Sequence, residues 1–189
     1  STSFGMNEPL AFALDIPSHD HYTWGLQLAR QAARDGLSHV AVEKSSGMVV
    51  GVLFSSDMVG ALEEESDDQI TLENEPESMQ LIQVLLNELD HMYEEKYGPF
   101  GSNRGTFFHF LCIAIHPDPF YLGKGLAKSL LTANINLARE KGYKTGLVEC
   151  SGLFSQKMFK SFGFVEEFTV EYESWQYKGQ RVLEGLEKK

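Results

Sequence analysis

Apolar positions recur along this chain with two different periods, and the switch between them marks out its elements. Between 78 and 96 they fall at Met79, Ile82, Leu85, Leu86, Leu89 and Met92. Steps of three and four place these on one face of a helix. Residues 107–115 (Phe-Phe-His-Phe-Leu-Cys-Ile-Ala-Ile) are instead almost continuously apolar. A strand of that composition is covered on both faces, so it is expected at the centre of a sheet. From about Gly125 helical spacing returns, with Leu126, Leu130, Leu131, Leu137 and Ala138 facing inward. Arg139 and Lys141 suit the negative end of that helix dipole, and Gly142 stops it.

The flanking segments complete the pattern. Residues 7–14 predict a short helix, with Asn7 able to cap it and Pro9 in its first turn. Residues 20–34 predict a second, ended near Gly36. Two strands, 39–43 and 48–55, flank the hairpin turn Ser45-Ser46-Gly47. Residues 60–77 read as an acidic loop and 98–106 as a glycine-rich one. Beyond the second long helix come a strand at 144–150 and a short helix at 154–162, stopped by Gly163. Residues 164–172 and 175–183 predict a closing strand pair. The chain is therefore expected to be α/β (α+β), a mixed central sheet flanked by helices, without the regular βαβ alternation of a dinucleotide fold.

Composition narrows this further. At 189 residues and 42% hydrophobic, one core and one domain spanning 1–189 are expected. No apolar run approaches the roughly 20 residues that span a bilayer, and no secretory signal opens the chain, which begins at Ser1. Cys112 and Cys150 are the only cysteines, both in apolar strand-like segments, which suggests core residues and a reducing, cytoplasmic setting. The net charge of -11 argues against duplex nucleic acid as a partner. That charge is uneven, since no lysine or arginine lies between Lys44 and Lys96. An acidic half favours a cationic substrate and a more basic half an anionic cofactor, although a solvated acidic loop accounts for residues 63–77 as well.

The densest chemical signal is Gly123-Lys124-Gly125-Leu126-Ala127-Lys128, set between the central strand and a helix. Glycines let backbone approach an anion closely, and the first helical turn offers unpaired N–H groups. The turn lacks the Gly-Lys-Ser/Thr closure of a Walker loop. Together with Ile113-Ala114-Ile115-His116-Pro117 before it and Leu130-Leu131 after it, this turn resembles motif A of the GNAT N-acetyltransferases. A later segment, Met158-Phe159-Lys160-Ser161-Phe162-Gly163-Phe164, resembles the family's short helix ending in Gly-Phe. A narrower similarity is to invertebrate arylalkylamine (dopamine-type) N-acetyltransferases, carried by Glu8-Pro9-Leu10 and by Cys150-Ser151-Gly152-Leu153-Phe154-Ser155.

The resemblance implies a GNAT fold with a V-shaped opening between central strands, and acetyl-CoA as co-substrate. It implies that the backbone of Ile113, Ala114 and Ile115 pairs with the pantetheine arm like an added strand. The pyrophosphate is then expected on the N–H groups of Gly123, Lys124, Gly125, Leu126, Ala127 and Lys128, with Ser155 also at the cofactor. Some positions depart from the family. Leu122 stands where Arg or Gln is usual, so backbone carries that contact alone. The segment 116–121 is about two residues longer than usual. Phe159 stands where many members carry a tyrosine general acid. The family's first strand has no counterpart before the first helix.

Acetylating an amine near neutral pH requires a base, because the amine is mostly protonated. The thioester carbonyl needs a hydrogen-bond donor, for which a backbone N–H at a strand bulge near residues 111–113 is suited. Glu8 is the first candidate base, against the plainer reading of a first-turn glutamate favouring its helix dipole. Ser151 and Ser155 are candidates to relay protons or position substrate, against capping of the helix that follows. His109 is the alternative base, against a satisfied core or edge histidine; His116 ends its strand. Met6, Phe12, Tyr22 and Trp24 are candidate walls of an aromatic amine site. Nothing in the sequence activates Cys112 or Cys150, and no cluster has metal-ligand spacing. The expected activity is acetyl transfer from acetyl-CoA to a small primary amine, aryl-alkyl in character, by direct attack in a ternary complex. A peptide or protein amine as acceptor, and a CoA-binding sensor without turnover, are the alternatives.

Overall fold

A computed structural model describes residues 8–59, 77–101 and 103–186. Its elements, in chain order, are α1 (Pro9–Ala13), α2 (Ser18–Asp35), β1 (His39–Val42), β2 (Val49–Asp57), α3 (Glu77–Tyr97), β3 (Phe107–Ile115), α4 (Leu126–Glu140), β4 (Thr145–Leu147) and α5 (Leu153–Ser161). The sheet is ordered β1-β2-β3-β4, with β1/β2 and β2/β3 antiparallel and β3/β4 parallel. It is therefore mixed, open and flanked by helices, as expected. The acidic stretch expected as a loop at 60–77 lies outside the described residues except for Glu77, which opens α3.

The central strand β3 takes its expected bounds and carries one irregularity. Cys112 pairs with Phe54 and Phe110 with Ser55, so Leu111 is an extra residue on β3. A bulge of this kind shifts the alternation of side chains by one. Phe108 and Phe110 before it, and Ile113 and Ile115 after it, accordingly all pack into one core. That core is completed by Leu130 and Leu131 of α4 and by Met158 and Phe159 of α5. Asn134 of α4, fully buried, donates from Nδ2 to the Leu37 carbonyl (3.2 Å) and to Ser55 Oγ (2.5 Å), and its Oδ1 meets His39 Nδ1. A buried amide with its partners in place ties α4 to β1 and β2 in one register.

A second apolar cluster joins α1, α3 and the C-terminal segment through Leu10, Leu85, Trp175 and Leu183. Trp175 Nε1 donates to Glu88 Oε2 of α3 at 2.7 Å. Ala11, Ile16 and Met79 form a third, against which Trp24 packs.

Two expectations need correction. The closing strand pair at 164–172 and 175–183 does not form; that region holds turns and one isolated bridge, Tyr177 with Gln180. The strand expected at 144–150 shortens to Thr145–Leu147. Both have one cause. The parallel pairing of β3 with β4 ends at His109–Leu147, after which the chain leaves the sheet. A cavity then separates 145–150 from 164–172, so no ladder can join them. The C-terminal segment docks through side chains instead. Phe164 lies 5.0 Å from Phe159 and 5.5 Å from Phe110 in edge-to-face geometry, and Trp175 fills the second cluster.

Candidate active site

The early end of β3–β4 pairing opens the sheet. From Phe110 to Ile115 the edge of β3 away from β2 has no strand partner among the described residues. This is the V-shaped opening expected for the cofactor arm, and it includes Ile113, Ala114 and Ile115. The bulge at Leu111 lies at the start of that free edge, where a carbonyl donor was sought.

The glycine turn sits beyond the end of β3. Gly123 and Gly125 both have positive φ (69° and 77°), and nothing lies within 4 Å of a Cβ built at either. These are left-handed positions that glycine occupies without steric cost. Gly125 is the N-cap of α4 and no side chain caps it, so the first-turn N–H groups remain open. Lys124 Nζ lies 3.4 Å from the centroid of the Phe120 ring, which adds positive charge beside the turn. Leu122 is half exposed and offers no donor, so backbone supplies the contacts to an anion here.

A cavity of about 1510 Å³ lies between α1, α3, the segment after β4 and the C-terminal segment. Glu8, Cys150, Ser151 and Gly152 line it; Ser155, His109, Ile113–Ile115 and the glycine turn do not. Glu8 is only 7% exposed. It, rather than Asn7, is the N-cap of α1, and its Oε2 accepts from the Ala11 N–H. The other oxygen, Oε1, is buried with no partner among the described residues. Buried carboxylate oxygens in folded proteins usually have a donor, which makes Glu8 a candidate to take one from a bound molecule.

Local packing brings Glu8 to the serines. A Cβ at Gly152 would stand 3.1 Å from Pro9 Cγ, so α1 rests directly on this glycine. Gly152 is the N-cap of α5 and no side chain caps that helix, so the capping reading of Ser151 does not apply. Tyr172 Oη donates to the Ser151 carbonyl at 3.0 Å, and Gln156 Nε2 to the Cys150 carbonyl at 3.2 Å, which holds the loop. Ser155 Oγ donates to the Gly152 carbonyl at 2.8 Å. Because Gly152 has extended backbone (φ -123°), Gly152→Val tests the contact rather than the conformation. It is expected to displace α1 and lower kcat by about tenfold, with circular dichroism unchanged, since misplacing a catalytic group by an ångström costs that much or more.

His109 does not stand free. Its Nε2 lies 2.7 Å from Glu149 Oε2, with both side chains largely buried. Burial works against charge on His109, but the Glu149 carboxylate outweighs it and raises the pKa. Burial likewise works against charge on Glu149, and the imidazolium overrides it and lowers the pKa. This pairing engages Nε2 with Glu149 and so weighs against His109 as the base. Burial pushes both thiols up, Cys112 to about 12 and Cys150 to about 11, so neither is poised as a nucleophile. Phe159 is buried against Phe110 and Phe164 and is part of the core.

The aromatic wall comes from elsewhere than expected. Phe12 lines the cavity, but Trp24 packs into the third cluster, Tyr22 is exposed and Met6 lies outside the described residues. Tyr93 and Tyr97 of α3, Phe100, Phe168 and Tyr172 line it instead. Asp90 and Glu149 were also missed. A signal for Asp90 was present: Leu86, Asp90, Tyr93 and Tyr97 share one helical face, which makes the aspartate a charged residue on an apolar stripe.

Residues 16–164 match the family model described as Acetyltransferase (GNAT) family. The chain belongs to the GNAT family of acetyltransferases. Its co-substrate is acetyl-CoA, and the open β3 edge and uncapped glycine turn fit that molecule's amide-bearing arm and pyrophosphate. Solved structures share the fold. The C-terminal condensation domain of Ebony, in complex with β-alanyl-dopamine, superposes with a TM-score of 0.79 at 13% identity over 96% of this chain and 82% of its own. Arylalkylamine N-acetyltransferase 2 from Aedes aegypti gives 0.67 at 21% over 95% and 82%. Agmatine N-acetyltransferase gives 0.68 at 17% over 96% and 84%. Among the described residues no helix is long and apolar enough to cross a membrane.

Proposed function

We propose that this acetyltransferase acts on the primary amine of a small, aryl-alkyl acceptor by direct attack in a ternary complex. The observation that carries this reading is Glu8, a buried carboxylate that lines an aromatic-walled cavity, with no partner for its Oε1 among the described residues. An ammonium fits such an oxygen as a donor, and the carboxylate then takes its proton. The cap to Ala11 engages Oε2 alone, so Oε1 has no competing donor among the described residues. Ser151, on the loop held by Tyr172, positions the amine, and Ser155 serves the thiolate end of the reaction. Acetyl-CoA, when bound, supplies the acetyl group as a thioester. The backbone of Ile113–Ile115 and the N–H groups of Gly123–Lys128 hold it, with Leu122 contributing no side-chain bond.

The aromatic walls favour an aryl-alkyl body. In a protein of the same fold, the Ebony condensation domain, the bound molecule is β-alanyl-dopamine, an N-acylated aryl-alkylamine. The test is release of free thiol from acetyl-CoA across a panel of aryl-alkylamines, diamines and short peptides. Turnover of aryl-alkylamines supports the reading. Turnover of peptides alone replaces it with a peptide acetyltransferase. Silence across the panel with measurable CoA binding replaces it with a CoA sensor.

A further inference from the structure

Residues 164–172 stand as a single layer of irregular chain between the cavity and solvent. All nine line the cavity, while Val165 is 78% exposed and Glu166, Glu167 and Thr169 are exposed beside it. Each end of the run is anchored. The Phe164 N–H donates to the Phe159 carbonyl at 3.2 Å, and its ring packs in the main core. Trp175, just past the other end, is 7% exposed and bonded to Glu88. Between these anchors residues 165–170 form no backbone–backbone hydrogen bond among the described residues. The other walls are firmer: helices α1, α3 and α5, the paired strand β4, and a loop whose Cys150 and Ser151 carbonyls each accept a hydrogen bond.

Side chains hold this run in place. Glu167 Oε2 accepts from Tyr97 Oη at 2.7 Å and from Lys96 Nζ at 3.0 Å, both at the C-terminal end of α3. Phe168 sits beside them, its ring centroid 6.4 Å from that of Tyr93 and 6.5 Å from that of Tyr97 in edge-to-face geometry, with Lys96 Nζ 5.3 Å from it. Glu166 pairs with Lys160 of α5 at 2.7 Å. Val170 packs against the second cluster. Both ion pairs are exposed, and pairs of that kind add little to stability. A segment with few buried contacts and no backbone ladder opens more readily than the elements around it. Tyr172, at its end, donates to the Ser151 carbonyl, so the position of the run also bears on the loop that carries Ser151.

We propose that residues 165–170 are a strap that swings outward to admit the acceptor and closes over it, with Glu167 as its latch on α3. This rests on the reading of the cavity as the acceptor site and concerns how that site is entered and sealed. Closure shields the cavity from water during acetyl transfer, and opening releases the product. Cys150 reports on the strap because it lines the same cavity. Cys112, 9% exposed on β3, does not line it and reports on the fold as a whole.

Timed labelling of the full chain with N-ethylmaleimide, read by mass spectrometry at each cysteine, compares how often the strap opens. Glu167→Ala is expected to speed Cys150 labelling by about threefold, the scale of one exposed charged contact, and to leave Cys112 unchanged. Because Tyr97 acts through Glu167, adding Tyr97→Phe to Glu167→Ala should give no further rise. Glu95→Gln, which removes an exposed pair elsewhere on α3, should change neither rate. An unchanged Cys150 rate in Glu167→Ala would overturn the proposal. So would a Cys112 rate that climbs in step with it, because the whole fold would then be loosening. Labelling in the presence of tyramine tests the acceptor reading separately. Protection of Cys150 supports that reading; its absence rejects the cavity as an aryl-alkylamine site, while Glu167→Ala still decides the strap.

Discussion

Glu8→Gln is expected to lower kcat by about 100-fold or more, within the range that a positioned general base contributes. The substitution is nearly isosteric, and the amide oxygen can still accept from the Ala11 N–H, so α1 keeps its cap. What is lost is the proton acceptor at Oε1, the buried oxygen with no partner among the described residues. The KM for acetyl-CoA should change little, because neither Ile113–Ile115 nor the glycine turn lines the cavity around Glu8. Steady-state kinetics by thiol release, with the fold checked by circular dichroism, measures this. A kcat within about threefold of wild type at every pH would remove Glu8 from the role, since general-base contributions begin near 100-fold. Glu8→Ala should add a loss of about 1 kcal/mol in stability, the usual cost of deleting an N-cap.

Glu149→Ala is expected to destabilise the fold by about 3 kcal/mol, the lower end for breaking a buried ion pair. It removes the carboxylate that holds His109 charged and leaves the imidazole largely buried without its Glu149 partner. The pH dependence follows from the two shifts. His109 is raised, so its stabilisation is complete below its ordinary value of 6.5 and is lost as pH rises through the folded pKa. Glu149 is lowered, so its stabilisation is complete above 4.5 and is lost as pH falls through its folded pKa. The gap between wild type and variant is thus widest between pH 4.5 and 6.5. His109→Phe/Glu149→Leu should recover most of the loss, because neither charge is then left alone. Denaturant midpoints across that range test it. A constant gap, or a double variant no better than the single, would show that the pair is not what stabilises this corner.

The interplay of these residues separates what was legible in the sequence from what was not. Helices and central strands followed from local periodicity, and β3 fell where an unbroken apolar run put it. The glycine turn was legible because its chemistry is backbone chemistry. Glycine adopts left-handed φ without steric cost, and here both have it. Glu8, Ser151 and Gly152 were legible as motifs but not as neighbours. Their meeting depends on Pro9 resting on Gly152, a contact across more than 140 residues of chain.

The C-terminal strands were misread because alternation reports which side chains can be buried, not whether a backbone partner is within reach. With β4 leaving the sheet at Leu147, residues 164–172 have no edge to join. His109 shows the same limit, since a strand histidine reads alike whether it is a base or half of an ion pair. By itself the sequence determined most of the element order, the central strand and the glycine turn, because each is written in residues adjacent along the chain. Only the tertiary structure decided that Glu8 is buried on the cavity wall, that His109 is paired with Glu149, and that Asp90 lines the same cavity. Those are properties of a carboxylate's surroundings, and the surroundings are assembled from segments far apart in sequence.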